Sequence, residues 1–395
     1  MAAHTGVRAA GADVEPDGPV HDPRAASRNP RSRPLDGVAL CLSGGGYRAM
    51  LFHVGALKRL NELGYLPRLS RVSSVSGGSI TAGVLALAWP DLHYDPTHTT
   101  AANFDELVVA PLRSLAGRTI DVRAIVSGIV VPGQTISHRI ESYYRKHLFG
   151  DRTLQDLPDE PRFVINATSL QSGDLFRFSK PYLWDYRVGE VPNPAIPIAT
   201  AVAASSAFPP FLSPATLTFP EGAFVSSGGN GLAHPPYTRR IALSDGGVYD
   251  NLGLEAAWKA CKTVLVSDGG GHMADKPHPA HDWLLQSFRV TSVIDNQVRS
   301  LRKHQVIDGY ISGAREGTYW GIRGHVADYN LPDALPCPPE KTMAIAAVKT
   351  RLCRMSRETQ ERLVNWGYAI CDTAMRAHVE PDAAPGEFPY DGGVG

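Results

Sequence analysis

The chain carries no surplus of either charge. Its 395 residues hold 39 Lys+Arg against 39 Asp+Glu, and a protein that works by coating nucleic acid needs a basic excess. Cysteine is scarce as well. Cys41, Cys261, Cys337, Cys353 and Cys371 are odd in number, far apart and without a C-x-x-C pair, which excludes a disulfide framework and a zinc spacing. They read as small buried hydrophobes in a reducing compartment. Met1 to Gly37 lacks the apolar core of a secretory signal. The longest uncharged stretch, Ala195 to Pro214, is broken by Pro197, Pro209 and Pro210, so it cannot cross a bilayer as one helix. These absences predict a soluble, cytoplasmic protein, at most peripheral to a membrane. What is present is a 43% hydrophobic composition, enough for a sizeable core and incompatible with wholesale disorder.

The pattern along the chain is that of an α/β protein. Residues 1–35 are rich in Ala, Gly, Pro and Arg and predict a disordered tail; residues 381–395 read as a second flexible tail. Between them, 36–380 shows no repeat and no clean boundary. Val38 to Leu42 is a short apolar run ending in glycines, the signature of a buried strand, and Tyr47 to Leu63 carries an apolar stripe at helical spacing. Leu69 to Val75 then runs into Gly77-Gly78 and a helix from Ser79 to about Trp89. Strand, glycine turn and helix, twice in succession, imply parallel βαβ wiring. Further strands are expected at Phe163–Ala167, Leu175–Phe178, Arg240–Leu243 and Thr263–Val266, a small-residue helix at Ile198–Ser205, and long amphipathic helices at Trp283–Ile311 and Arg357–Ala377. The alternation favours a three-layer domain with helical insertions.

Two glycine turns stand where chemistry is expected. Ser43-Gly44-Gly45-Gly46-Tyr47-Arg48-Ala49 lies at a strand-to-helix junction, where close backbone approach and free N–H groups suit an anion or oxyanion. It also fits a loose dinucleotide fingerprint, but the second strand ends in Ser73-Ser74-Val75-Ser76 without the acidic residue that a ribose requires. Ser74-Val75-Ser76-Gly77-Gly78 fits a nucleophile elbow with Ser74 in place of the first glycine. Ser76 sits at the centre of that turn, and Ser73, Ser74 and Ser79 are the competing hydroxyls. A nucleophilic serine needs a base. Asp245-Gly246-Gly247 and Asp268-Gly269-Gly270 each follow a short apolar strand, and His272 and His304 leave a Ser…Asp…His order open.

Together the segments form an ordered set. Ser43–Ala49, Ser74–Ser79, Ala204-Ser205-Ser206-Ala207-Phe208-Pro209-Pro210 and Asp245-Gly246-Gly247-Val248-Tyr249-Asp250-Asn251 occur in the order seen in patatin-like phospholipases, which this chain resembles. The Ser-Gly-Gly-Gly-x-Arg-Ala loop is similar to the version shared with the cytosolic phospholipases of animals. The resemblance spans Gly37 to Asn251 and implies a three-layer patatin-like sandwich with a mainly parallel central sheet. It further implies a lipid acyl hydrolase using a Ser–Asp dyad without a catalytic histidine, no cofactor and no metal. Carried over, Ser76 is the nucleophile, Asp245 the general base, Gly44, Gly45 and Gly46 the oxyanion-hole donors, and Arg48 a residue that faces substrate phosphate or steadies the loop. The substrate would be a phospholipid or another lipid ester. Transacylation through the same acyl-enzyme, and a non-catalytic lipid- or nucleotide-binding module on the same fold, are the competing readings. Ile125–Val131 and Pro209–Leu212 are apolar enough to line an acyl groove or touch a membrane, and Phe224–Pro236 reads as a mobile loop upstream of the base.

Overall fold

The apolar strands assemble around a β1 that is buried on both faces. A computed structural model describes residues 35–395 apart from 96, 98, 121–135, 210, 211, 226–230, 272, 274, 280, 350 and 351. The N-terminal tail, Ile125–Val131, His272 and parts of the Pro209–Leu212 and Phe224–Pro236 segments therefore lie outside the described residues. The ten strands among the described residues are β1 (Leu35–Leu42), β2 (Leu69–Val75), β3 (Arg162–Ser169), β4 (Leu175–Phe178), β5 (Tyr182–Asp185), β6 (Gly189–Pro192), β7 (Ala215–Thr218), β8 (Arg240–Asp245), β9 (Cys261–Asp268) and β10 (Glu316–Gly321). They form one sheet in the order β10-β9-β1-β2-β3-β4-β5-β6, with β8 also on β3 and β7 on β8. The β10-β9-β1-β2-β3 run is parallel, and the pairings of β4 to β8 are antiparallel.

Alternation along β1 divides the core. Leu40 and Leu42 enter the larger apolar cluster on one face of the sheet, with Met50, Leu51, Val54 and Leu57 of α1 (Gly46–Glu62). Ala39 and Cys41 enter a smaller cluster on the other face, with Val264, Val266, Leu252, Leu254 and Val306. Successive strand residues point to opposite faces, so two clusters mean helices on both sides and three layers. The remaining helices that matter here are α2 (Gly77–Ala88), α3 (Ile198–Ser205), α4 (Trp283–Ile311) and α5 (Arg357–His378).

Residues 381–395, expected as a loose tail, are tied to α5. The Asn365 side chain, wholly buried, donates to the carbonyl oxygens of Tyr390 (2.7 Å) and Gly393 (2.8 Å) and accepts the Tyr390 N–H. A composition dominated by Gly, Pro and Asp does not reveal a tail held through its backbone. Cys41, Cys261 and Cys371 are buried, whereas Cys353 is exposed.

Candidate active site

Ser76 stands where β2 turns into α2, at a φ of +52°, which a non-glycine residue holds only when its surroundings impose it. The imposing contacts are specific. The Ser76 N–H donates to Ser205 Oγ at 2.9 Å, and that hydroxyl donates to the Asn166 carbonyl oxygen at 2.6 Å. Gly77 and Gly78 let the first turn of α2 press onto the neighbouring loop. A Cβ on Gly77 would lie 2.2 Å from the Gly46 carbonyl oxygen, and one on Gly78 2.3 Å from that of Leu42. Ser74, which replaces the glycine of the elbow pattern, is buried in β2 and accepts a hydrogen bond from Ser79 Oγ at 3.0 Å.

Asp245 reaches the same place from the opposite direction. β2 occupies one edge of β3 up to the pair Val75↔Asn166, and β8 takes over that edge from Ala167↔Asp245; β4 holds the other edge. Because β2 runs parallel and β8 antiparallel to β3, their C-terminal ends point at each other. Ser76 and Asp245 are thus neighbours by strand register. Burial of the Asp245 carboxyl pushes its pKa up to about 7. The Gly247 N–H, 2.7 Å from Oδ1, and the Ser76 hydroxyl favour the anion, Asp295 adds to the rise and Arg299 opposes it. An ordinary aspartate titrates near ~3.9 and is a poor proton acceptor at neutral pH; this one is poised at it.

The glycine loop lies against this pair. The Gly44 N–H, expected among the anion donors, is committed to the Asn251 carbonyl oxygen at 3.0 Å. The Gly45 and Gly46 N–H groups have no backbone acceptor among the described residues. A Cβ on Gly77 would come within 2.9 Å of the Gly46 nitrogen, so that amide adjoins the Ser76 turn. The Asn251 side chain fills the space between the turns: a Cβ on Gly44 or on Gly247 would each meet its Oδ1 at 2.5 Å.

A family model of the patatin-like phospholipases matches residues 40–258, more than half of the chain, including the glycine loop, Ser76 and Asp245. The chain belongs to the patatin-like phospholipase family. Solved structures similar to it include the human GIVD cytosolic phospholipase A2 in complex with methyl γ-linolenyl fluorophosphonate, at 15% identity and a TM-score of 0.48, covering 89% of this chain and 59% of that one. The same human enzyme in another structure gives 14%, 0.44, 89% and 60%. VipD from Legionella pneumophila gives 14%, 0.35, 87% and 67%. This chain therefore spans some three-fifths of the length of the human structures. A comparison with curated proteins gives no match.

In this patatin-like fold the two Asp-Gly-Gly segments have separate surroundings. Asp268 ends β9, beyond β1 from β2. Burial alone would raise its pKa, but Lys303 at 2.8 Å, the Tyr319 hydroxyl at 2.7 Å and the Gly270 N–H at 2.9 Å outweigh burial and hold it well below the usual carboxylate range. His53 is buried under the glycine loop, between Ser267 Oγ and the Ser43 carbonyl oxygen, and burial lowers its pKa to about 4. His304 is exposed on α4.

Of the two roles expected for Arg48, facing substrate phosphate or steadying the loop, its hydrogen bonds bear on the second. It is buried, with Nη1 donating to the Ala346 and Val348 carbonyl oxygens (2.9 Å each) and Nη2 to that of Gly269 (3.0 Å). Burial brings its pKa down to about 10. The side chain leaves the first turn of α1 toward backbone rather than toward the site, a direction that residue order cannot show. Arg48→Met should cost about 2–4 kcal/mol of stability, since it strands buried carbonyls, and should leave the kcat/KM ratio between phosphate-bearing and neutral esters unchanged. Urea unfolding and paired assays check both; a shifted ratio would restore a role in substrate binding.

Two features escape the motifs. Ser205 belongs to a matched segment that assigns it no role, and it holds the Ser76 backbone. Tyr144 is wholly buried, its Oη beside Ser206 Oγ and near Asp245, and neither hydroxyl has a geometrically sound hydrogen-bond partner among the described residues. A lone tyrosine in a helical segment gives no sequence signal.

Proposed function

We propose that this chain is a lipid acyl hydrolase in which Ser76 and Asp245 form the catalytic dyad. Membership of a phospholipase family supports a lipid ester as substrate. The observation that carries the dyad is the strained Ser76 turn facing a buried carboxyl poised near neutrality. Asp245 takes the Ser76 hydroxyl proton as Oγ forms a bond to the ester carbonyl carbon. The tetrahedral oxyanion is met by the Gly45 and Gly46 N–H groups. The alcohol or lysolipid leaves with the proton from Asp245. Water then gives a proton to Asp245 and attacks the acyl-serine, and that proton returns to Oγ as the fatty acid is released.

Labelling with a fluorophosphonate, read by intact mass, tests the dyad. Wild type should take one adduct, Ser76→Ala none, and Asp245→Ala should react at least about 10²-fold more slowly. Undiminished labelling of Asp245→Ala would move the base to another group. A folded wild type that takes no adduct would favour a binding module.

A further inference from the structure

The most conspicuous surface feature outside the dyad is the first three turns of α4. Asp282 caps this helix, accepting the Leu284 and Leu285 N–H groups at 3.0 Å each. The twelve residues Trp283 to Ile294 then read WLLQSFRVTSVI, with Arg289 the only charge. Trp283, Leu284, Leu285, Phe288, Val290, Val293 and Ile294 are all exposed, Trp283 to 75%, Leu285 to 55% and Ile294 to 56%. Of the whole helix only Val306 and Gly309, near its far end, are buried. The apolar half therefore stands off the body.

Two observations say what covers it. The first is circumferential. Trp283, Leu284 and Leu285 are consecutive and so point in three directions about 100° apart. A second copy of the chain packing helix on helix would cover one stripe and leave the others wet, whereas a lipid surface receives the whole end. The second is position. α4 packs against the Gly247–Asp250 turn, Arg299 donates to the Gly271 carbonyl oxygen at 2.5 Å, and Asp295 and Arg299 lie within electrostatic range of the Asp245 carboxyl. Phe208 and Val248, on the segments that flank Asp245, are also exposed. Exposed apolar residues thus occur both on the segments that flank Asp245 and on the helix that packs against the Gly247–Asp250 turn.

We propose that Trp283–Ile294 is a docking element that dips into a phospholipid surface and brings the mouth of the dyad onto it. At 1.5 Å per residue the element is about 18 Å long, short of the ~30 Å hydrocarbon core, so it enters one leaflet. Among the described residues no helix is long and apolar enough to cross a membrane. The proposal takes its purpose from the lipid-hydrolase reading, but binding can be measured without turnover.

The test uses Ser76→Ala as parent and vesicles of phosphatidylcholine with phosphatidylglycerol, read by co-sedimentation, with light scattering for oligomeric state. Adding Leu285→Ser, Phe288→Ser and Ile294→Ser should weaken vesicle binding about tenfold or more. The same three changes in the active chain should leave hydrolysis of a water-soluble short-chain ester unaltered, which also reports folding, and should slow hydrolysis of vesicle lipid. Equal vesicle binding by parent and triple variant overturns the proposal. So does a parent that ignores vesicles and forms a dimer which the triple variant breaks, since the occupant is then a second copy. If no ester of any kind is hydrolysed but the vesicle difference holds, the catalytic reading fails and the docking element stands.

Discussion

Asp245→Asn is expected to lower kcat/KM by about 10³–10⁴ at pH 8 while making the protein more stable at that pH. Asparagine keeps the shape of the side chain and an oxygen for the Gly247 N–H, which approaches Oδ1 at 2.7 Å, but it cannot take the Ser76 proton. The stability gain follows from burial. The Asp245 carboxyl titrates at about 7 in the folded chain and near ~3.9 when unfolded. A raised folded value means that the fold prefers the neutral acid: the stability it contributes is complete below pH ~4 and is lost as pH rises to about 7. The variant has no such loss. Its advantage should be absent near pH 4, open between there and pH 7, and level off at roughly 2–4 kcal/mol above it. Wild-type kcat/KM should mirror this, rising about tenfold per pH unit below a midpoint near 7, because only the anion is a base. Urea unfolding of both proteins across pH, with wild-type rates on a soluble ester, reads all three. A variant retaining a tenth of the activity, or no stability gap at pH 8, would remove Asp245 from its assigned role.

Much of this site is local and therefore legible in the order of the residues alone. β2 is bounded by the same residues that the apolar run Leu69–Val75 marks, α3 by Ile198–Ser205, and α2 begins within two residues of its expected start. In each case the burial pattern and a glycine or proline boundary lie within a few residues of one another. The strands Tyr182–Asp185, Gly189–Pro192, Ala215–Thr218 and Glu316–Gly321 lie outside the expected set. All are short; Tyr182–Asp185 and Gly189–Pro192 pair with their sequence neighbours, whereas Ala215–Thr218 and Glu316–Gly321 depend on partners distant in sequence. Distance in sequence also hides the reason for choosing Asp245 over Asp268. As residues the two Asp-Gly-Gly turns are equivalent, and only the family resemblance separates them. In the fold they differ by which edge of the sheet they end on and by a lysine: β8 shares an edge with β2, whereas Asp268 is held by Lys303 and Tyr319. Which of the two roles expected of Arg48 its contacts fit is hidden for a related reason. Its proximity in sequence to an anion-binding loop suggests a phosphate partner, but the helix carries its guanidinium to the carbonyls of Ala346 and Val348.

Gly45→Ala tests the remaining part of the mechanism, the loop amides. Gly45 has a φ of +146°, a backbone conformation that L side chains rarely adopt, and an added Cβ would lie 2.9 Å from the Gly269 carbonyl oxygen and 3.0 Å from the Ala49 Cβ. The Gly269 carbonyl cannot yield freely, because it accepts from Arg48 Nη2 and its own N–H is held by Ser43 Oγ at 2.8 Å. The loop must move instead, taking the Gly45 and Gly46 N–H groups with it. Loss of one preorganised donor to an oxyanion costs about 10²–10³ in turnover, so kcat and the fluorophosphonate labelling rate should fall together by at least that factor. The pH midpoint should stay near 7, since nothing around Asp245 is altered. Gly150→Ala is the matched control: φ is +55° there and nothing lies within 4 Å of the new Cβ. It should lose roughly 1–3 kcal/mol to backbone strain with turnover intact. Should Gly45→Ala instead behave like the control, the developing negative charge is stabilised elsewhere, and the Gly77 N–H at the start of α2 becomes the donor to examine.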